Sequence, residues 1–197
     1  MRLILLIFIT SVFTAQVKHD TIIDRGIYRS YFNLSIKEPV TVTYTLFHGG
    51  GEASRKNDRF KDDTLKITLT GEDYSKSGYD RGHLAAAEDF AYSDSLQGLT
   101  FSYFNCVPQT PELNRGKWKK YEEYVRELSK KDTVVIVCYN EYNGTKSGSL
   151  NIPDVCYKTV YKTSGELLFS IGIANSVKCE EISISDKIFK LMKGFLN

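Results

Sequence analysis

A chain of 197 residues, 42% hydrophobic and 25% charged, has the size and make-up of one globular domain with a real core. Four prolines and the lack of any low-complexity tract exclude a disordered linker protein, and a net charge of +2 excludes a strongly basic polyanion binder. Thirteen Tyr and eleven Phe favour strands and aromatic packing.

In chain order, Arg2 and the apolar run 3–13, followed by Ala15, read as a secretory signal peptide over residues 1–15. Residues 16–197 are then one domain. The run is short for a bilayer span, so the mature protein is expected to be soluble, secreted or periplasmic, with no membrane contact. Export permits disulfides among Cys106, Cys138, Cys156 and Cys179. Cys156 with Cys179 is the first pairing to test, whereas Cys138, inside an apolar run, reads as a small buried hydrophobe.

Residues 31–34 and 40–47 are predicted strands, the second alternating Val40, Val42, Tyr44 and Leu46 with Thr41, Thr43 and Thr45. The His48-Gly49-Gly50-Gly51 stretch reads as a turn; as an esterase loop it lacks the Gly-x-Ser-x-Gly elbow it would need. Residues 75–90 read as loop and 93–100 as a short helix. The clearest helix is 114–130: Asn114 can cap it, Trp118, Tyr121, Val125 and Leu128 form a stripe, and Lys130 and Lys131 suit its C-terminal end. Strands are expected at 133–139, 155–162 and 167–174, with a loop at 140–149. A last helix begins near Ser185, with Ile188, Leu191, Met192 and Phe195 on one face. Strand runs broken by one long helix give an α+β fold with a mostly antiparallel sheet.

Two clusters carry chemistry. The first is Asp80-Arg81-Gly82-His83; of the three histidines, His83 alone stands in a charged, glycine-containing segment. A neutral, aimed imidazole is a general base, and Gly82 offers backbone freedom beside it. The second surrounds Asn114, whose amide oxygen could anchor Mg2+ while water and phosphate oxygens fill the shell. Trp118 and Glu122 share its helix face; Glu122 is either a group supporting the metal or a surface glutamate. Arg59 or Arg55 could bind non-bridging phosphate oxygens, and Arg81 could contact phosphate or support the fold through Asp80. Arg115 and Lys119 belong to a basic run that reads as a phosphate-contacting or a plain solvated face.

Arg59-Phe60-x-x-Asp63, the segment from Ser77 to Ala87 around Asp80-Arg81-Gly82-His83, Asn105-x-x-Pro108-Gln109 and Leu113-Asn114-x-x-x-Trp118-x-x-x-Glu122 occur in that order. Together they resemble the DNA/RNA non-specific endonucleases of the ββα-metal, or His-Me finger, class. The resemblance implies a long catalytic helix and Mg2+-dependent hydrolysis of DNA and RNA with little sequence preference, Mn2+ being a substitute. It further implies His83 as base, Asn114 as metal ligand, Glu122 and Asp80 as outer support of the metal, Arg59 as transition-state stabiliser and Asn105 as a positioning group. Arg81, Arg55, Arg115 and Lys119 complete the site. The alternative is a nucleic-acid-binding homologue that does not cut, and a homodimer is an assembly the sequence leaves open. Phe104, Cys106 and the Cys138-Tyr139-Asn140 turn depart from the family's usual residues.

Overall fold

The computed structural model describes residues 18–61 and 65–196; the leader read over 1–15 and Asp63 lie outside them. Its frame is a seven-stranded antiparallel sheet. Strands β1 (Thr21–Asp24), β2 (Arg29–Asn33) and β3 (Glu38–Leu46) form a meander. The chain then leaves the sheet through a short helix α1 (Gly71–Tyr74), strand β4 (Asp80–His83), helix α2 (Asp94–Thr100) and strand β5 (Cys106–Gln109). Strands β4 and β5 pair only with each other. A π-helical segment at Leu113–Trp118 runs into helix α3 (Lys119–Ser129). The sheet resumes with β6 (Val134–Glu141). A two-strand hairpin follows, β7 (Lys146–Ser147) and β8 (Leu150–Asn151). Then come β9 (Val155–Lys162), β10 (Leu167–Ala174), β11 (Glu181–Ile182) and helix α4 (Asp186–Lys193). The order β1-β2-β3-β6-β9-β10-β11 puts β6 at the centre, between β3 and β9.

Period-two alternation on β6 and β9 divides two cores. Ile136, Cys138, Cys156 and Val160 face Trp118 and Val125 of the layer formed by α3 and the π-helical segment before it, together with Leu84 and Phe90. Val137, Tyr139, Tyr157 and Tyr161 face Ile188 and Met192 of α4. The α+β expectation is met, and β9 and β10 occupy the expected residues. Ser93 and Ser185 accept from the Leu96 and Ile188 amides and so start α2 and α4.

Three expectations are corrected. Residues 80–83 are a strand, because the β5 backbone supplies their partners. Asn114 does not cap the long helix: its amide donates to the Thr110 carbonyl, and Thr110 Oγ1 accepts from Leu113, so the helix starts a turn earlier. Cys156 and Cys179 are unbonded, as are Cys106 and Cys138; the Cys179 thiol turns to the Ser176 carbonyl at 3.0 Å. Among the described residues no helix is long and apolar enough to cross a membrane.

Glu38, at the head of β3, is fully buried. Its Oε1 accepts from the Asn151 amide at 3.1 Å and its Oε2 from the Tyr142 hydroxyl at 3.0 Å. Burial raises its carboxyl pKa well above the ordinary 4.5, against the opposing effect of those two bonds. The folded state therefore keeps a proton that the unfolded chain releases. That stability is fully present below about pH 4.5 and is lost as pH rises through the folded pKa, at up to about 1.4 kcal/mol per pH unit. Above about pH 5 the urea midpoint of the wild type is expected to drop relative to that of Glu38→Gln as pH rises, because only the wild type carries the raised carboxyl; equal slopes in the two proteins would refute the assignment.

Candidate active site

The two chemistry-bearing clusters meet in a cleft of about 720 Å³ on the α3 side of the sheet. Strand β4 supplies Asp80, Arg81 and His83, the helix supplies Asn114, Arg115, Lys119, Glu122 and Arg126, and the loop after β3 supplies Arg55 and Phe60. Strand β4 is held in place from both sides. Gly82 lies against β5, where a Cβ would stand 2.2–2.6 Å from the Gln109 side chain; the glycine is required by this close approach and not by an unusual φ. Just downstream, Asn105 brackets Ala85, accepting its N–H and donating to its C=O, each at 2.8 Å, and donates to the Thr100 carbonyl at 2.9 Å.

His83 is buried, its ring packed 4.8 Å from both Phe60 and Phe101. Its carbonyl accepts from Trp118 Nε1 at 2.9 Å, which ties strand to helix. Burial first, and then the charges of Arg55 and Arg81, push the imidazole down to about 3, so it is neutral at physiological pH. Its Nε2 is buried without a hydrogen-bond partner.

Asp80 organises the helix side. Arg115 grips it with two bonds of 2.8 and 2.7 Å, and Asn114 Nδ2 donates to it at 3.0 Å. That last bond fixes which way the Asn114 amide lies, with nitrogen on Asp80 and oxygen turned away from it. The π-helical segment carrying Asn114 inserts an extra residue per turn, a device common at functional sites. Asp80 is held below the ordinary carboxyl range by Arg115 and Asn114, which outweigh its partial burial.

Glu122 is half-buried beneath the cleft. Desolvation raises its carboxyl to about 7, opposed chiefly by the field of Lys158. Arg126, four residues on, reaches into the same cleft and pairs with fully buried Asp89 at 3.0 Å. Two guanidiniums sit over aromatic rings: Arg55 over Phe101 at 5.6 Å, and Arg81 over Phe60 at 5.4 Å and Tyr74 at 5.8 Å. Such stacking holds a cation in place, and Arg55 Nη1 also donates to Glu88 Oε1 at 3.5 Å.

The structure thus brings together His83, Asn114, Glu122, Asp80, Arg81, Arg55, Arg115 and Lys119. It does not bring in two others. Arg59 is exposed, with Nη1 turned onto the Lys56 and Asp58 carbonyls, and Arg55 takes the place in the cleft. Asn105 is buried with its amide committed to backbone, so any positioning role runs through the chain it brackets. Sequence reasoning missed Arg126, although its spacing from Trp118 and Glu122 on one helix face was the available signal. It also missed Phe101.

The sequence model described as DNA/RNA non-specific endonuclease matches residues 8–185. The chain belongs to this family. Among curated relatives, mitochondrial nuclease EXOG of Danio rerio is 44% identical over 84 residues, 41% of this chain and 24% of that protein. Mitochondrial endonuclease G of Homo sapiens is 37% identical over 91 residues, 45% of this chain and 31% of that one. A nuclease of Nostoc sp. is 34% identical over 116 residues, 56% of this chain and 42% of that one. The chain therefore matches less than half the length of each. A chain in the crystal structure of the EndoG/EndoGI complex has the same fold, with a TM-score of 0.71 at 21% identity, over 88% of this chain and 83% of that one.

Proposed function

We propose that this protein is an exported, Mg2+-dependent endonuclease that hydrolyses phosphodiester bonds of DNA and RNA with little sequence preference. The observation that carries the reading is the Asp80–Asn114 bond, which orients one amide oxygen in the cleft that also holds a neutral histidine. Among the described residues no three His, Cys, Asp or Glu side chains cluster as metal ligands. The donor set that fits is one amide oxygen completed by water and phosphate oxygens, as Mg2+ prefers, with Mn2+ a substitute. When bound, the cation would supply Lewis-acid stabilisation of charge on the phosphorane and the leaving oxygen.

The chain's own residues supply the rest. His83 takes the proton of the attacking water; the imidazole is neutral beforehand because burial and two guanidiniums oppose its charging. Substrate phosphate offsets Arg55 and Arg81, which raises the basicity of His83 when it is needed. Arg55 and Arg81, stacked on their rings, receive the non-bridging oxygens. Arg115 and Lys119 on the cleft rim meet phosphates flanking the cut, and Glu122 supports the hydrated cation from beneath. The cleft gathers Arg55, Arg81, Arg115, Lys119 and Arg126, cations suited to contacting the phosphate backbone. Export rests on Arg2, the apolar run 3–13 and Ala15.

Purified protein is expected to degrade supercoiled plasmid and total RNA in Mg2+, to stop in EDTA, and to bind more weakly as salt rises. Undiminished cleavage in EDTA would defeat the metal-dependent reading. Binding with no cleavage across several divalent cations would instead favour the non-cutting homologue.

A further inference from the structure

Strand β9 carries Cys156, Lys158 and Val160 on the face that packs under the catalytic helix, a run whose apolar pattern is broken by one lysine. Lys158 is fully buried. Its Nζ has no hydrogen-bond partner of normal geometry, only the Cys138 thiol of β6 alongside as a weak acceptor. It lies 4.4 Å from the centroid of the Trp118 ring. Its field also reaches Glu122 and Asp89, where it favours the charged carboxylates against their burial. An ammonium buried without a hydrogen-bonded anion is costly, and an aliphatic side chain of its size would pack there at lower cost. Departures of this kind from local pattern concentrate at functional sites.

We propose that Lys158 is a positioning residue for the cleavage reaction: stacked on Trp118, it holds the indole whose N–H fixes the His83 carbonyl, and it presents positive charge to Glu122 from below the cleft. The connection is continuous. The ammonium sits on the ring at 4.4 Å, and the ring's Nε1 donates to His83 at 2.9 Å. Trp118 and Glu122 lie one turn apart on the same helix, so one buried cation serves both the base strand and the metal-supporting carboxylate. This inference rests on the nuclease reading above.

The test compares wild type with Lys158→Met and Lys158→Arg. Trp118 is the only tryptophan, so tryptophan fluorescence reports the surroundings of this one ring. Lys158→Met is expected to fold with a melting temperature equal to or above wild type. Its kcat on plasmid should fall about 10–100-fold with little change in KM, and its Trp118 emission should change. Lys158→Arg should recover most of the lost kcat. A lysine serving stability alone would move the melting temperature and leave kcat intact, which would overturn the proposal. Failure of Lys158→Arg to exceed Lys158→Met in kcat would overturn it too, as would unchanged Trp118 emission. Should Lys158→Met not fold, Lys158→Gln replaces it under the same criteria. Should wild type cut nothing in any divalent cation, the nuclease reading fails, while the emission comparison still decides whether Lys158 holds the indole.

Discussion

Plasmid cleavage is expected to fall by about 10²–10⁴-fold when His83 becomes alanine, the range for losing a general base. Among the described residues the ring is the one imidazole lining the cleft, and it is wedged between Phe60 and Phe101. Removing it leaves a slot walled by aromatics, so the loss should be chemical more than structural: the backbone anchor to Trp118 uses the carbonyl and survives the substitution. His83→Asn fills more of the slot and cannot act as a base at neutral pH, so it should be as inactive as alanine. Initial rates with far-UV circular dichroism on the same samples decide the matter. Folded His83→Ala cutting within about threefold of wild type would remove the histidine from the mechanism. Added imidazole that enters the vacated slot should restore part of the rate in alanine but not in asparagine.

What was legible from sequence was whatever depends on local periodicity or on a side chain's own chemistry. Strands β9 and β10 alternate cleanly, and Ser93 and Ser185 are ordinary helix starters. His83, Asn114 and Glu122 were singled out by type and order, and the structure brings the three into one cleft. Long-range partners were not legible. Residues 80–83 look like loop because three of the four are charged or glycine; they become strand only when β5, some twenty-five residues on, supplies backbone partners. Asn114 looks like a cap because it precedes the apolar stripe, yet the π-helical segment and Thr110 move the helix start and release its amide to Asp80. Arg59 and Arg55 are equal by composition; only the turn at Arg55–Asn57 and the Phe101 ring decide which guanidinium enters the cleft. Lys158 could not be valued at all until the indole above it was placed.

Asn114 and Asp80 should behave as one unit, and a double-mutant cycle on them is the sharpest test of the metal half of the site. Asn114→Ala removes the one amide oxygen offered to the cation and should lower kcat/KM by about 10²-fold or more, the equivalent of several kcal/mol of charge stabilisation. Asp80→Ala leaves that oxygen in place but releases the amide to rotate, and should cost about 10–100-fold with a higher Mg2+ concentration for half-maximal rate. Asp80 also anchors Arg115, but that guanidinium is 69% exposed at its side chain and an exposed ion pair contributes little. Arg115→Ala should therefore change the rate only a few-fold and leave the Mg2+ requirement where it was. The decisive quantity is the coupling. Once Asn114 is alanine, Asp80 has no amide left to orient, so the double mutant should be hardly slower than Asn114→Ala alone. Isothermal titration with Mg2+ or Mn2+ gives the same comparison without turnover. Additive losses, or an unaltered cation requirement in Asp80→Ala, would mean that Asp80 acts only through Arg115 and the fold, and that the amide orientation is incidental to cation binding.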